Sequence, residues 1–207
     1  MDPRVAKLSD IVVNYSVAVR PDDWVVIQTT TFGEPLARAC AAAVLKAGGY
    51  PSVFLSSEEI GEDLFNAGND KQLQYISPAA LMISEKSDVH IAIIAPGNTH
   101  SLAGIDPSRM AVLARGREPL MDTMMRRTQD GSFRWNVCAY PTPAGAQDAH
   151  MSLDSYSDFI FDAALLKEPD PVHAWKNLGE RQQKLIDWLS DKSEVHIVGP
   201  DTDLKVG

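Results

Sequence analysis

Val89-His90-Ile91-Ala92-Ile93-Ile94-Ala95 runs directly into Pro96-Gly97-Asn98-Thr99-His100. A strand with one wet face alternates apolar and polar residues, and this one is apolar at all but one position. Continuous runs of this length suit strands covered on both faces, as in a parallel sheet. Shorter β-branched or aromatic runs lie at 24–29, 51–56, 135–140 and 195–199. Helical patterns separate the five. The expected fold is therefore α/β, an open, doubly wound, mainly parallel sheet with helices on both faces.

The helices carry their own start and stop signals. Val5, Leu8, Val12 and Tyr15 recur at helical spacing in the first, and Gly48-Gly49 can supply a left-handed cap after the second, 34–47. Asp2-Pro3, Asp106-Pro107 and Asp170-Pro171 each pair a capping carboxylate with a proline whose missing donor costs nothing in the first turn. Segment 58–87 reads as two or three short helices broken at 66–69 and 77–78. The longest helix is expected at 171–190, with Trp175, Leu178, Gln182, Leu185 and Leu189 packing on the protein's own sheet. A turn at Gly199-Pro200-Asp201 introduces the alternating segment 202–206. These features divide the chain into a domain at 1–200 and the start of a second layer at 201–207.

Composition narrows the function. The 207 residues carry 19 basic and 28 acidic side chains, a formal net charge of -9, and Arg126-Arg127 is the only adjacent basic pair. That balance argues against nucleic acid, which is bound by basic groups that displace counterions, and against anionic membranes. The two cysteines, Cys40 and Cys138, sit in apolar surroundings and read as reduced core residues. The first residues lack the apolar stretch of a signal peptide, and no run approaches the ~18 apolar residues of a spanning helix. A cytoplasmic location is the expectation.

Ligands of open α/β sheets bind beyond the carboxyl ends of the strands. That rule points to Thr29-Thr30-Thr31, to Pro96 through His100, and to Pro141-Thr142. Thr30 and Thr31 serve equally as helix caps there, and Gly97-Asn98 as a turn. The first crossover, Thr29-Thr30-Thr31-Phe32-Gly33-Glu34, has one glycine and an acidic residue where a dinucleotide site needs a glycine-rich turn, and no phosphate loop or nucleophile elbow occurs. His90, His100, His150, His173 and His196 include no pair at the spacing of a helical zinc motif. Glu58-Glu59 and Asp22-Asp23 read as solvated or capping carboxylates.

Several blocks carry a further signal. They are Asn14-Tyr15-Ser16-Val17 with Arg20-Pro21-Asp22-Asp23-Trp24-Val25-Val26-Ile27, then Leu45-Lys46-Ala47-Gly48-Gly49, then Ile94-Ala95-Pro96-Gly97-Asn98-Thr99. Arg134-Trp135, Pro141-Thr142-Pro143-Ala144 and Ala146-Gln147-Asp148-Ala149-His150-Met151-Ser152, before Tyr156 and Phe159, complete the set. In this order and spacing the chain resembles, over essentially its whole length, the aminopeptidase T family of metal-dependent aminopeptidases, also called thermophilic metalloproteases. The resemblance implies a two-domain enzyme about twice this long, which removes N-terminal residues from peptides with a pair of divalent metals such as zinc, cobalt or magnesium. It implies that the metal ligands lie in a C-terminal half, so no catalytic or metal-binding residue is placed in this chain. It further implies a homodimer, with this chain docking on its own C-terminal catalytic domain and walling part of a peptide cavity. Asn98, Thr99, Arg134 and His150 are the substrate-facing candidates. The chain alone is expected to be inactive and to hold no cofactor, and 202–206 to lack strand partners. The competing reading is a binding module, or a relative of ring-cleaving dioxygenases, on the same scaffold.

Overall fold

In the computed structural model, which describes residues 2–207, the Asp2 carboxylate caps the Arg4 amide and starts α1 (Pro3–Asp10). This helix passes without a break into a π-helical turn (Ile11–Ser16). Val5, Leu8 and Val12 are buried as their spacing predicts, and the wider turn brings Ile11 and Val13 inside as well. β1 (Trp24–Thr30) leads through a single 3₁₀ turn into α2 (Glu34–Ala47). α2 stops at Gly48, whose φ of +89° an L side chain would resist. β2 (Tyr50–Ser56) follows, and the uncertain stretch after it resolves into α3 (Glu58–Ala67), α4 (Asp70–Leu73) and α5 (Pro78–Lys86).

β3 (Val89–Ile94) is followed by α6 (Pro107–Gln129), capped by Asp106 on the Ser108 amide. At 23 residues, α6 rather than the 171–190 segment is the longest helix. Pro119 lies inside it and masks its length in the sequence, because proline normally ends or kinks a helix. β4 (Arg134–Ala139), α7 (Pro143–Asp148) and α8 (Leu153–Ala163) complete the first of two compact units, which runs to Leu166.

Four strands in the order β2-β1-β3-β4, all parallel, form its sheet. The chain steps from β1 to β2 in one direction, then crosses back past β1 to reach β3, so connections diverge between β1 and β3. Val25 pairs with Val89 and Ile27 with Ile91, and all four are fully buried on one face, together with Leu36, Cys40 and Val44 of α2. Each such side chain contributes roughly 1.5–3 kcal/mol by leaving water. On the opposite face Val26 is buried, but toward the strand ends and the β4 edge Ile94, Trp135 and Val137 are about half exposed. A smaller apolar cluster joins α3, α4 and α6 through Phe65, Leu73 and Val112.

The second unit comprises Lys167–Gly207. The Asp170 carboxylate accepts the His173 amide and starts α9 (Pro171–Leu189). Contrary to the expected packing of its stripe on the sheet, no residue of α9 is buried, and Leu185, Ile186 and Trp188 are each more than half exposed. β5 (Val195–Gly199) is likewise not a fifth parallel strand. It forms an antiparallel hairpin with β6 (Thr202–Val206), in which Ile197 opposes Leu204 and Val195 opposes Val206. The 202–206 segment therefore has a ladder partner within the chain, correcting the expectation that it would have none. A two-residue turn at Pro200-Asp201, with Asp201 at φ +52°, makes this pairing local. The compact units divide after Leu166, earlier than the 199–201 turn that marks the sequence-based boundary.

Candidate functional site

Strand order places the divergence point at the carboxyl ends of β1 and β3, where ligand clefts of open α/β sheets form. A cleft of about 540 Å³ lies there. Its walls include Gln28, Thr29 and Thr30 of β1, Phe54, Leu55 and Ser56 of β2, and Ile93 and Ile94 of β3. Glu58 of α3 and Arg117 of α6 contribute its two charged side chains.

Most hydroxyls at this edge hold the backbone. Thr29 Oγ1 donates to the Ile93 carbonyl at 2.9 Å, Thr30 Oγ1 donates to the Ala95 carbonyl, and Ser56 Oγ donates to the Thr29 carbonyl at 3.2 Å. Thr30 also accepts the Phe32 amide, which is the capping role weighed from the sequence. Glu58 Oε2 accepts the amides of Gly97 at 2.8 Å and Asn98 at 3.0 Å, so the loop after β3 is held from across the cleft. The Phe32 ring lies against Gly97, where a β-carbon would collide with it. The rim is thus fixed by contacts already made in the folded chain.

The four substrate-facing candidates separate. Asn98 and Thr99 sit exposed on that clamped loop, and Asn98 Oδ1 accepts the His100 amide in a turn. His100 Nε2 lies 3.4 Å from Asp148 Oδ1, linking this loop to α7. His150 is exposed just beyond α7, with φ +55° and its amide on the Gln147 carbonyl. These three therefore share the carboxyl edge of the sheet. Arg134 begins β4 at the other edge, where its Nη1 donates to the carbonyls of Val17 and Ala18 at 3.0 and 2.6 Å. Its Nη2 lies 2.6 Å from Asp23 Oδ2. Ala18 is left-handed at φ +45°, and the guanidinium holds this strained turn in place. Two of the blocks that carry the family resemblance, 20–27 and Arg134-Trp135, thus meet as one structural clamp.

The 141–156 block is a helix corner. Thr142 is buried and its hydroxyl accepts the Gly145 amide at 3.1 Å, while Ser152 starts α8 on the Ser155 amide. A β-carbon on Gly145 would come within 2.9 Å of the Tyr156 hydroxyl, so any larger residue there has to displace the end of the Tyr156 ring. Glu58 and Arg117 were not singled out from the sequence as site residues. Glu58 read as a solvated or capping carboxylate, and its contact with Gly97 spans 39 residues, beyond any local pattern.

Neither cysteine suits nucleophilic work. Burial pushes the Cys138 thiol up to about 12 and raises Cys40 as well, with nearby Cys138 adding to the latter. His90 is held below the usual imidazole range by burial, and its Nε2 has no hydrogen-bond partner among the described residues. No group of three or more His, Cys, Asp or Glu among the described residues is arranged to hold a metal ion. The closest approximations, His100–Asp148 and His196–Asp203, offer two groups each. These residues do not fit the ligand set of a two-metal centre.

The family model for the thermophilic metalloproteases (M29) matches residues 1–207. The chain belongs to this family. Aminopeptidase 2 of Geobacillus stearothermophilus is 20% identical across 93% of the chain, which covers 49% of that enzyme. Aminopeptidase PepS of Streptococcus thermophilus is 27% identical across 50% of the chain, covering 27% of that protein. Among solved structures, wild-type AmpT from Thermus thermophilus superposes with a TM-score of 0.76 at 16% identity, over 99% of this chain and 53% of AmpT. That likeness establishes the shared α/β fold. The chain spans about half the length of the Geobacillus aminopeptidase. No helix among the described residues is long and apolar enough to cross a membrane.

Proposed function

We propose that this chain is the N-terminal α/β part of a metal-dependent aminopeptidase, and that it shapes and carries the catalytic half rather than performing hydrolysis. The M29 match over the full 207 residues, beside relatives of twice the length, carries this reading. The divalent metal, zinc, cobalt or magnesium, then belongs to ligands outside the chain, and the substrate is a peptide with a free N-terminus. Asn98, Thr99 and His150 border the carboxyl edge of the sheet, which supports a role for them as part of the wall of a peptide cavity. Arg134 acts in support, through the turn it holds. A cytoplasmic homodimer completes the proposal.

The test compares two polypeptides: residues 1–207, and a gene product that extends past Gly207. Calorimetric titration of the short chain with zinc or cobalt should show no tight site, and leucyl-anilide should survive incubation with it. The longer product should release leucine in a metal-dependent, chelator-sensitive reaction. Metal-dependent turnover by the short chain, or none by the longer one, would overturn the proposal.

A further inference from the structure

An open sheet leaves two edge strands, and the two here are guarded differently. Tyr50 donates its amide to the Asp23 carbonyl at 2.8 Å, so the even residues of β2 bond to β1 and Pro51, Val53 and Leu55 turn their backbone outward. Pro51 has no amide to offer an added strand, which blunts that edge. On the other edge Arg134 and Tyr140 donate to the carbonyls of Asp88 and Ile94 at 3.0 and 2.9 Å, so the even residues of β4 face β3. Trp135, Val137 and Ala139 therefore present their amides and carbonyls outward, and none of these groups has a hydrogen-bond partner among the described residues. Nothing guards this row. β4 has no proline or lysine, its register runs without a bulge, and its one charge, Arg134, is drawn inward by Asp23. Pro141 removes the next outward amide, so the open row is confined to β4.

The side chains point to the partner. Trp135, Val137 and Ala139 lie on one face of the strand, with Trp135 51% and Val137 49% exposed. Laid antiparallel on a second copy, across a twofold axis at Val137, the row is its own complement. Trp135 meets Ala139 of the second copy, Val137 meets its counterpart, and Ala139 meets Trp135. Each is a hydrogen-bonded pair that exchanges both N–H···O bonds. The largest side chain of the row falls opposite the smallest, and no like charges are opposed. A parallel sheet accepts an antiparallel strand at its edge. The contact is isologous, and Pro51 keeps the far edges from continuing it, so it closes at two copies. We infer that β4 is a self-association edge, at which two copies join their four-stranded sheets into one. The homodimer proposed above then has its contact in β4, independently of where the metal ligands lie.

Sedimentation velocity of the 207-residue chain should show a monomer–dimer equilibrium. The transition should fall between about 10 μM and 1 mM, as a small contact of this kind requires. Over the same range the amide signals of Trp135, Val137 and Ala139 should shift, while those of Val53 and Leu55 on the other edge stay fixed. Val137→Lys would set two ammonium groups face to face and should weaken association about tenfold or more. Val137 is half exposed in the monomer, so the variant should keep its fold, which circular dichroism checks. If it does not fold, the amide shifts of the unsubstituted chain decide alone. Val53→Lys, on the β2 edge, should leave association unchanged. A monomer at every concentration overturns the inference, and so does capture of an extended peptide at these amides without dimerisation. A dimer that Val137→Lys leaves intact, or that shifts the β2 amides instead, overturns it too while the homodimer itself stands. None of these outcomes bears on the metal titration and turnover assay above.

Discussion

Substituting Arg134→Met should destabilise the sheet unit by about 3 kcal/mol. The guanidinium makes three charge-assisted contacts, to the carbonyls of Val17 and Ala18 and to Asp23, at 3.0, 2.6 and 2.6 Å. The two charged side chains are only 21% and 11% exposed, so water can replace little of what is lost. Fully buried, breaking such a pair costs roughly 3–5 kcal/mol because one charge is left unpaired. Here the carboxylate keeps the Arg20 amide at 2.6 Å, which lowers the expected loss toward the bottom of that range. At this chain size the melting temperature should fall by about 6–12 °C. Urea denaturation followed by circular dichroism measures the loss, and Asp23→Asn, alone and combined with Arg134→Met, closes a double-mutant cycle. The coupling should reach about 1 kcal/mol or more, since the partners share one network. A loss below about 1 kcal/mol, or strict additivity, would refute the clamp and return Arg134 to the pool of candidate substrate contacts.

Gly116→Ala should destabilise, although alanine normally favours a helix interior by about 1 kcal/mol. The new β-carbon would lie 2.5 Å from Gln74 Cα and 2.9 Å from its carbonyl oxygen, and backbone cannot step aside cheaply. A stabilised variant in the same urea assay would mean that α4 and α6 are not in close approach. Burial holds His90 below the usual imidazole value of 6.5, so as pH falls through 6.5 the unfolded chain takes up a proton that the folded one resists. Stability should therefore decline toward acid, and His90→Phe should flatten that slope; identical pH profiles would contradict it. Both thiols, raised by burial, should react slowly with a thiol reagent near pH 8 until urea is added, and fast native labelling would refute their placement. Every residue of β5 and β6 is exposed, and a two-stranded hairpin is marginal in water, so amides of Leu204 and Val206 should exchange fast despite their pairing. Slow exchange in a dilute monomer would show that the hairpin has support beyond its own ladder.

The sequence alone determined the elements whose causes lie within a few residues of each other. The caps at Asp2, Asp106 and Asp170, the left-handed stop at Gly48, and the near-continuous apolar run of β3 all act over one turn or one strand. Their residues can therefore be read in order along the chain. Pairing was decided elsewhere. The run 195–199 has a composition that suits a sheet interior, yet the short turn at Pro200-Asp201 offers β6 as a partner at much lower loop-closure cost than a distant strand. The stripe on α9 marked an apolar face without saying what would cover it. Arg134 illustrates the same limit at the site: its residue type suggested substrate, but only folding brings it to Asp23, 111 residues away. Likewise Glu58 meets Gly97, and Arg117 lines the same cleft, because the chain reverses between β1 and β3. Local sequence records propensities and periods; which distant charges share a cavity is settled by strand order.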